Sequence, residues 1–262
     1  MRLEVLRRPP DAPGGKPPLL FLHGAYVGAW CWDEHFLGWF AARGYDAYAL
    51  SLRGHGASEG RDELDDHGLA DYAEDAAAVM EELAAPPVII GHSMGALVAQ
   101  KALEQGAEAC AQVLACPVPS FGLLPSGFAL ALTRPSLFAS LNAVASGGRA
   151  SPEALSEVLF ATPPDAELAS RCYRRMQRES RRALMDMSGW GLPSIWSMRR
   201  PPTLVLGASR DVLIPAAQAH ATARMLGAEY RELEGLGHAV MLDAGWEAAA
   251  SAIADWLEER SL

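Results

Sequence analysis

The sequence predicts an α/β domain in which helices cover both faces of a mostly parallel, twisted sheet. Short apolar runs alternate with amphipathic stretches up to residue 116 and again after residue 200, an alternation that is typical of βαβ units. Between residues 117 and 200 only helical stretches and Gly/Pro-rich breaks remain. We therefore assign residues 1–116 and 201–262 to one core, and residues 117–200 to a helical insertion after the fourth strand.

Each predicted strand is a short apolar run bounded by proline, glycine or polar residues, as expected for the buried strands of a parallel sheet. The first run follows Pro17 and Pro18, and the third lies between Pro87 and Gly91. In chain order the predicted strands are residues 19–22, 45–52, 88–90, 112–116, 203–206 and 229–233.

Each predicted helix has apolar residues three or four positions apart, and most end near a glycine or a proline. The first of them presents Phe36, Leu37 and Phe40 on one side and stops at Gly44. In chain order the predicted helices are residues 34–43, 69–85, 96–104, 152–160, 165–187, 216–226 and 245–259.

Composition excludes several classes of function. The chain has 262 residues, of which 50% are hydrophobic, so its core needs neither disulfides nor a structural metal. Its formal net charge of −10 disfavours nucleic acids and anionic membrane surfaces as partners. The first residues carry charge, and no apolar stretch is long enough to span a bilayer. We therefore expect no signal peptide, no membrane span and a cytoplasmic location.

The cysteines and glycines indicate no cofactor. No two cysteines form a CxxC pair, and no His/Cys/carboxylate cluster has metal-ligand spacing. No glycine-rich loop has the spacing that binds a nucleotide phosphate. We expect no metal, no cofactor and four free thiols, at Cys31, Cys110, Cys116 and Cys172.

The strongest motif is Gly-His-Ser-Met-Gly at residues 91–95, directly after an apolar strand and directly before a helix. A serine at such a sharp turn takes a strained backbone conformation that projects its hydroxyl above the sheet. Glycines two residues away on either side avoid clashes with the neighbouring strand and helix. The pattern predicts Ser93 as a nucleophile, with the N–H of Met94 at the helix start as a donor to an anion.

Four segments carry a resemblance to a known family. They are Leu-His-Gly-Ala at residues 22–25, Arg-Gly-His-Gly-Ala-Ser at 53–58, the motif at 91–95, and Asp211 together with Gly237-His238. Together they resemble the serine hydrolases of the α/β-hydrolase fold over nearly the whole chain outside the insertion. Residues 23–32 are similar to the esterase and hydroxynitrile-lyase branch, and the rest to small bacterial carboxylesterases. The resemblance implies the α/β-hydrolase fold and a cap, or lid, at residues 117–200.

A nucleophilic serine needs a base to accept its proton, and in this fold an acid and then a histidine follow the serine in the chain. His238, in a glycine-rich loop after the last strand, is the predicted base, because His220 lies in the middle of a helix. Asp211, just after a strand, is the predicted acid. Its rival Asp243 precedes a helix, where an acid complements the helix dipole.

By resemblance, the N–H groups of Ala25 and Met94 form the oxyanion hole, and Tyr26 borders the pocket. The cap is rich in aromatic and methionine side chains, which suit an apolar acyl pocket. The arginines between residues 171 and 182 are expected to form a solvated helix face, with recognition of a carboxylate or a phosphate by one or two of them as the alternative. The predicted substrate-binding residues are Tyr26, Phe121, Met185, Trp190, Trp196, Leu213 and Ala239.

These residues predict a serine hydrolase that cleaves small-molecule carboxylic esters of short-to-medium apolar acyl chains through an acyl-enzyme, as a monomer or a homodimer. The same residues would serve a thioesterase, a monoacylglycerol lipase or a lysophospholipase, so these alternatives stay open, followed by a lactonase or a carbon–carbon hydrolase. A hydroxynitrile lyase is disfavoured because the cap has no lysine. The other class of function is a non-catalytic ligand-binding protein of the same fold. In such a protein the catalytic triad of serine, histidine and acid is expected to be incomplete.

Overall fold

The computed structural model describes residues 1–11, 15–145, 148, 151–194 and 196–262. Within this part of the chain, seven strands form one sheet in the order β1-β3-β2-β4-β5-β6-β7. The strands are Glu4–Arg8 (β1), Leu19–Leu22 (β2), Ala47–Ser51 (β3), Val88–His92 (β4), Ala111–Ala115 (β5), Thr203–Ala208 (β6) and Glu229–Leu233 (β7). All neighbouring strands are parallel except β1 and β3. The predicted mostly parallel sheet is confirmed.

Strand β1 is the one strand that the sequence does not predict. It lies at the edge of the sheet, antiparallel to β3, and pairs Glu4 with Ser51 and Arg8 with Ala47. Its sequence, Glu-Val-Leu-Arg-Arg, is mostly charged, and none of its residues is buried. An edge strand exposed in this way contains no apolar run, so hydrophobic patterning cannot find it.

The described helices are Trp30–Asp33 (α1), Phe36–Ala41 (α2), Leu69–Glu82 (α3), Met94–Glu104 (α4), Leu124–Thr133 (α5), Pro135–Ala145 (α6), Pro152–Leu159 (α7), Ala166–Arg175 (α8), Arg181–Met185 (α9), Ala216–Leu226 (α10) and Trp246–Glu258 (α11). Helices α1, α2 and α11 cover one face of the sheet, and α3, α4 and α10 cover the other. Because side chains alternate along a strand, Leu19 and Phe21 of β2 contribute to the first core and Leu20 and Leu22 to the second.

The insertion is helical, with α5 to α9 and a π-helical turn at Asp186–Trp190 and no strand in its described part. The predicted helix at 152–160 is α7, but a single helix at 165–187 is wrong. The chain leaves α8 after Arg175 and starts α9 with Ser180, whose hydroxyl accepts the N–H of Ala183. Gln177 and Glu179, in the break, bond to the core instead of continuing the helix. The sequence does not predict α5 and α6, whose apolar residues lie on all sides.

The functional residues lie where parallel strands end. The loops after β2, β4, β6 and β7 leave the sheet at the same edge, because those strands run in the same direction. Polar side chains of such loops converge above the carboxyl ends of the strands.

Candidate active site

Ser93 lies at the sharp turn between β4 and α4. Its backbone has a φ of 52°, in the left-handed region that a residue with a side chain rarely adopts. A Cβ at Gly91 would overlap the backbone of Gly95, and a Cβ at Gly95 would lie 2.5 Å from the carbonyl oxygen of Leu22. The two glycines therefore let β4, α4 and the end of β2 approach closely enough to hold this turn.

His238 and Asp211 complete a chain of hydrogen bonds that starts at Ser93. The imidazole Nε2 lies 3.0 Å from Ser93 Oγ, and Nδ1 lies 2.7 Å from Asp211 Oδ2. The carboxylate can only accept, so Nδ1 carries the proton and the Nε2 lone pair accepts from the serine hydroxyl. Asp211 is held in turn by the N–H groups of Leu213 and Ile214, which donate to its Oδ1 at 2.8 and 2.9 Å. In this arrangement Nε2 can remove the proton of Ser93.

Asp243, the alternative acid, and His220, the alternative histidine, lie outside this chain of hydrogen bonds. The Asp243 carboxylate accepts the N–H groups of Ala161 and Gly237, at 2.8 and 3.1 Å. It thereby fixes the loop that carries His238 to the insertion without bonding to the imidazole. His220 stacks on Tyr230, with the ring centroids 4.8 Å apart.

His92, next to the serine, supports the backbone of the His238 loop. Its Nε2–H donates to the carbonyl oxygen of His238 at 2.9 Å. Burial, helped by the nearby His238, lowers the pKa of His92 to about 3, so its ring stays neutral in the folded protein. A neutral ring adds no positive charge beside the imidazole that bonds Ser93.

The loop after β2 approaches the serine closely. A Cβ at Gly24 would lie 3.1 Å from the Cβ of Ser93 and 2.8 Å from Nδ1 of His92, so only glycine fits there without displacing a neighbour. Ala25 follows in this loop, and Met94 follows the serine at the start of α4. Neither of their N–H groups has an acceptor within the described part of the chain. Two unused donors therefore flank Ser93, as the stabilisation of an oxyanion requires.

His23 stabilises the loop after β2 through two hydrogen bonds of its ring. Its Nδ1–H donates to the carbonyl oxygen of Gly24 at 2.8 Å, and its Nε2 accepts the N–H of Leu52 at 3.1 Å. Burial, and then the nearby charge of His55, lowers the pKa of His23 to about 3. A neutral His23 is required by these bonds, because an imidazolium could not accept from Leu52.

Ser93 and His238 open into a cavity of about 1090 Å³ between the core and the insertion. Of the predicted substrate-binding residues, Tyr26, Leu213 and Ala239 lie on its wall. The core also contributes Trp30, Ile214, Met241 and Leu242 to the wall. The large apolar wall residues from the insertion include Leu130, Val158, Phe160, Met176, Leu184 and Met187.

The structure contradicts four of the predicted substrate-binding residues. Phe121, Met185, Trp190 and Trp196 do not line the cavity, and their exposed fractions are 37%, 60%, 84% and 88%. Size and hydropathy favour such residues for a pocket, but the packing of the insertion decides which side chains face it. Met185, for example, points to solvent, whereas its neighbour Leu184 lies on the wall.

Several arginines of the insertion pair with acids of the core, whereas Arg134 pairs with Glu157 within the insertion, and no arginine lies on the described cavity wall. Arg171 and Arg175 both bind Glu34, and Arg178 and Arg181 both bind Asp65. These pairs are partly exposed, so water screens the charges and each pair stabilises the fold only weakly. They join the insertion to the core rather than forming only a solvated face.

A buried thiol lies beside Asp211. Cys116, Asp211 and His238 each place one potential metal ligand within 4.8 Å of the others. Burial, together with the Asp211 charge, raises the pKa of Cys116 well above its usual value, which keeps the sulfur protonated. Asp211 and His238 are already partnered with each other, so the group is satisfied without an ion.

Comparison with models of known protein families tests the family membership that these motifs suggest. Residues 19–252 match the model of the alpha/beta hydrolase family, which is most of the chain. The chain belongs to the alpha/beta hydrolase family. No protein with a curated description matches this alpha/beta hydrolase in sequence.

Solved structures share the fold of this alpha/beta hydrolase. Rv0554 from Mycobacterium tuberculosis matches with a TM-score of 0.75 at 21% identity, over 98% of this chain and 93% of that one. The esterase EaEST from Exiguobacterium antarcticum matches with a TM-score of 0.73 at 16% identity, over 98% and 95%. The monoacylglycerol lipase from Paleococcus ferrophilus matches with a TM-score of 0.71 at 18% identity, over 98% of both chains. The predicted α/β-hydrolase fold is thereby confirmed.

The described part of this alpha/beta hydrolase contains no helix with both the length and the apolar character needed to cross a bilayer.

Proposed function

We propose that this alpha/beta hydrolase is a serine esterase that cleaves carboxylic esters of short-to-medium apolar acyl chains. The observation that carries the proposal is the pair of hydrogen bonds from Asp211 through His238 to Ser93, on the wall of a largely apolar cavity. A serine hydroxyl is a weak nucleophile until a base accepts its proton, and His238 is oriented to do so.

The reaction then proceeds in two halves. Ser93 Oγ attacks the ester carbonyl carbon while its proton moves to Nε2 of His238, and Asp211 stabilises the resulting imidazolium. The N–H groups of Ala25 and Met94 bind the oxygen that becomes negatively charged. When the tetrahedral intermediate collapses, the alcohol leaves with the proton from His238 and the acyl group stays on Ser93. Water repeats the same steps on the acyl-enzyme and releases the acid.

The cavity wall supports a neutral, apolar substrate. No lysine or arginine lies on the wall within the described residues, whereas Glu153 and Glu157 do. Glu157 is paired with Arg134, but the Glu153 carboxylate still repels phosphate, so the wall disfavours lysophospholipids and the phosphate-bearing end of a coenzyme A thioester. Because α5, α7 and α8 supply much of the wall, we also propose that residues 117–200 act as the cap of this site.

Monoacylglycerol hydrolysis is a second candidate. The cavity volume of about 1090 Å³ lies at the top of the range for small-molecule sites, which leaves room for a glycerol leaving group beside a longer acyl chain. Glycerol is neutral, so the acidic wall residues do not oppose it. Acyl chain length and leaving group therefore have to be varied independently.

The experiment compares the wild type with Ser93→Ala on p-nitrophenyl esters from acetyl to palmitoyl, on monoacylglycerols and on acyl-coenzyme A thioesters. Ser120→Ala is the control serine, because the Ser120 hydroxyl is buried and bonds Gln100 outside the cavity. We expect turnover and fluorophosphonate labelling in the wild type and in Ser120→Ala, and neither in Ser93→Ala.

Each other result identifies a different function. Undiminished turnover in Ser93→Ala would refute the assignment of the nucleophile. Turnover of thioesters alone would make the protein a thioesterase. No labelling of the wild type would favour a non-catalytic ligand-binding protein.

A further inference from the structure

A fully buried carboxylate lies outside the hydrogen-bonded chain at Ser93. Glu179, in the break between α8 and α9, has a side chain with no exposed surface. Burying a charge is costly unless hydrogen bonds and an opposite charge compensate for it. Glu179 therefore requires partners, and three of them, Tyr26, His55 and Tyr72, are too distant in the chain for sequence patterning to predict.

Four donors from different parts of the chain meet this carboxylate. Its Oε2 accepts from Nε2 of His55 at 3.0 Å and from the N–H of Tyr26 at 3.2 Å. Its Oε1 accepts from the hydroxyl of Tyr72 at 2.9 Å and from the N–H of Ser180 at 2.8 Å. These five residues, which we call the Glu179 cluster, join the insertion to the loops after β2 and β3 and to α3.

The cluster contains a buried ion pair. Nδ1 of His55 lies 3.1 Å from the carbonyl oxygen of Arg53, and Nε2 faces Glu179. Both partners only accept, so both ring nitrogens donate and His55 is an imidazolium. Burial alone would lower the pKa of His55, but the charge and the hydrogen bond of Glu179 raise it. Burial would likewise raise the pKa of Glu179, but His55 lowers it.

Glu179 and Gln177 hold the loop that carries Ala25. Tyr26 has a φ of 68°, a strained conformation for a residue with a side chain, so its neighbours have to stabilise it. The insertion bonds both sides of this residue: Tyr26 N–H donates to Glu179, and Gln177 N–H donates to the Tyr26 carbonyl oxygen at 2.9 Å. These bonds fix the peptide between Ala25 and Tyr26. The N–H of Tyr26 is used by Glu179, whereas the N–H of Ala25 is left for a ligand.

We propose that Glu179 is a positioning residue for acyl transfer, because its carboxylate holds Tyr26 so that the N–H of Ala25 faces the developing oxyanion. The proposal rests on the proposed function at Ser93. The proposal gives the insertion a part in catalysis. The loop after β2 that carries Ala25, here called the oxyanion loop, keeps its conformation only with residues 177–179 docked against it.

The test replaces the carboxylate in two ways. Glu179→Gln keeps the shape but removes one acceptor, so a backbone N–H of the cluster loses its partner. Glu179→Asp keeps a negative charge for His55 but shortens the side chain by one methylene, which further lengthens the bond to the Tyr26 N–H, already the longest of the four at 3.2 Å. If the first variant does not fold, the second carries the test. Tyr72→Phe is the matched control, because it removes a donor to the same carboxylate without touching the oxyanion loop.

We measure kcat and KM on a p-nitrophenyl ester, and the Ki of a trifluoromethyl ketone, whose adduct with a serine carries an oxyanion. A displaced oxyanion donor lowers kcat by about 10–100-fold. We expect that loss in Glu179→Gln and Glu179→Asp, with Ki raised by the same factor and KM changed by less than about 3-fold. Tyr72→Phe should stay within about 3-fold of the wild type in all three constants.

Three results would overturn the proposal. The folded Glu179 variants keep the wild-type kcat, or Tyr72→Phe loses as much as they do, or kcat falls while Ki stays unchanged. Failure of the proposed function is recognised separately, because Ser93→Ala would then retain turnover whatever happens at Glu179.

Discussion

Replacing Asp211 with asparagine tests whether the carboxylate sets the tautomer of His238. The amide has the same shape as the carboxylate but only one oxygen. Two backbone N–H groups, those of Leu213 and Ile214, already donate to Oδ1. If the amide oxygen stays with them, the amide nitrogen faces Nδ1 of His238 and donates to it. The imidazole must then carry its proton on Nε2, which faces Ser93 and can no longer accept the serine proton.

The size of the effect follows from these contacts. Turning the amide over would restore the tautomer but leave two backbone N–H groups facing an NH₂, at about 1–3 kcal/mol each. The unproductive orientation is therefore preferred. Loss of the correct tautomer in a serine triad lowers kcat by about 10⁴-fold, which is roughly 5 kcal/mol of transition-state stabilisation.

The assay is the kcat of Asp211→Asn on a p-nitrophenyl ester, with urea unfolding as a check on stability. Asp243→Asn is the matched control, because Asp243 is also buried and accepts backbone N–H groups, those of Ala161, Gly237 and Gly245, but does not bond the imidazole. It should lose about 1–3 kcal/mol of stability and keep kcat within about 10-fold of the wild type. A kcat of Asp211→Asn within 10-fold of the wild type, or an equal loss in Asp243→Asn, would refute the reasoning.

Three further predictions concern packing, the cavity and acid stability. Gly95→Ala should cost about 1–3 kcal/mol because its Cβ would lie 2.5 Å from a carbonyl oxygen of β2. Gly38 lies open on a helix surface, so Gly38→Ala should instead raise the free energy of unfolding by about 0.5–1 kcal/mol. A change of the same sign in the free energy of unfolding of both variants, measured in urea, would contradict this. Leu130→Trp, on the cavity wall, should shift the preferred p-nitrophenyl ester to a shorter acyl chain, and Leu132→Trp, 69% exposed on the same helix, should not. Two identical chain-length profiles would argue against the assigned wall. Because burial lowers the pKa of His92 to about 3 from 6.5, the folded state binds fewer protons than the unfolded state between those values. The stability of the wild type relative to His92→Gln should therefore fall by about 1.4 kcal/mol per pH unit below pH 6.5; a pH-independent difference in urea unfolding would count against it.

The parts of the fold that sequence patterning predicts are those with a strong local signal. Strands buried on both faces need continuous apolar runs, and Leu19–Leu22 is such a run, with all four side chains fully buried. Strand β1 has no such requirement, because it is an exposed edge. The break after α8 also has no local signal, since residues 176–180 leave the helix in order to bond loops of the core.

The candidate site divides in the same way. Ser93 is predictable because the turn needs glycine at positions 91 and 95, and both requirements lie within five residues. Asp211 and His238 follow from the order of strands and loops once the family resemblance is accepted. The roles of these three residues are still predictions, which the variants above test.

The cavity wall and the Glu179 cluster depend on contacts between residues that are far apart in the chain. Trp190 and Trp196 have the composition of pocket residues, but the packing of the insertion turns them to solvent. Glu179 is one of many surface-type acids in the sequence, and only the docking of the insertion onto the core buries it beside His55 and Tyr26. Local patterning thus determines the sheet, its main helices and the turn at Ser93, because each depends on a few consecutive residues. Helix orientation and the pairing of buried charges depend on the whole fold, and these decide which residues of the insertion serve the site.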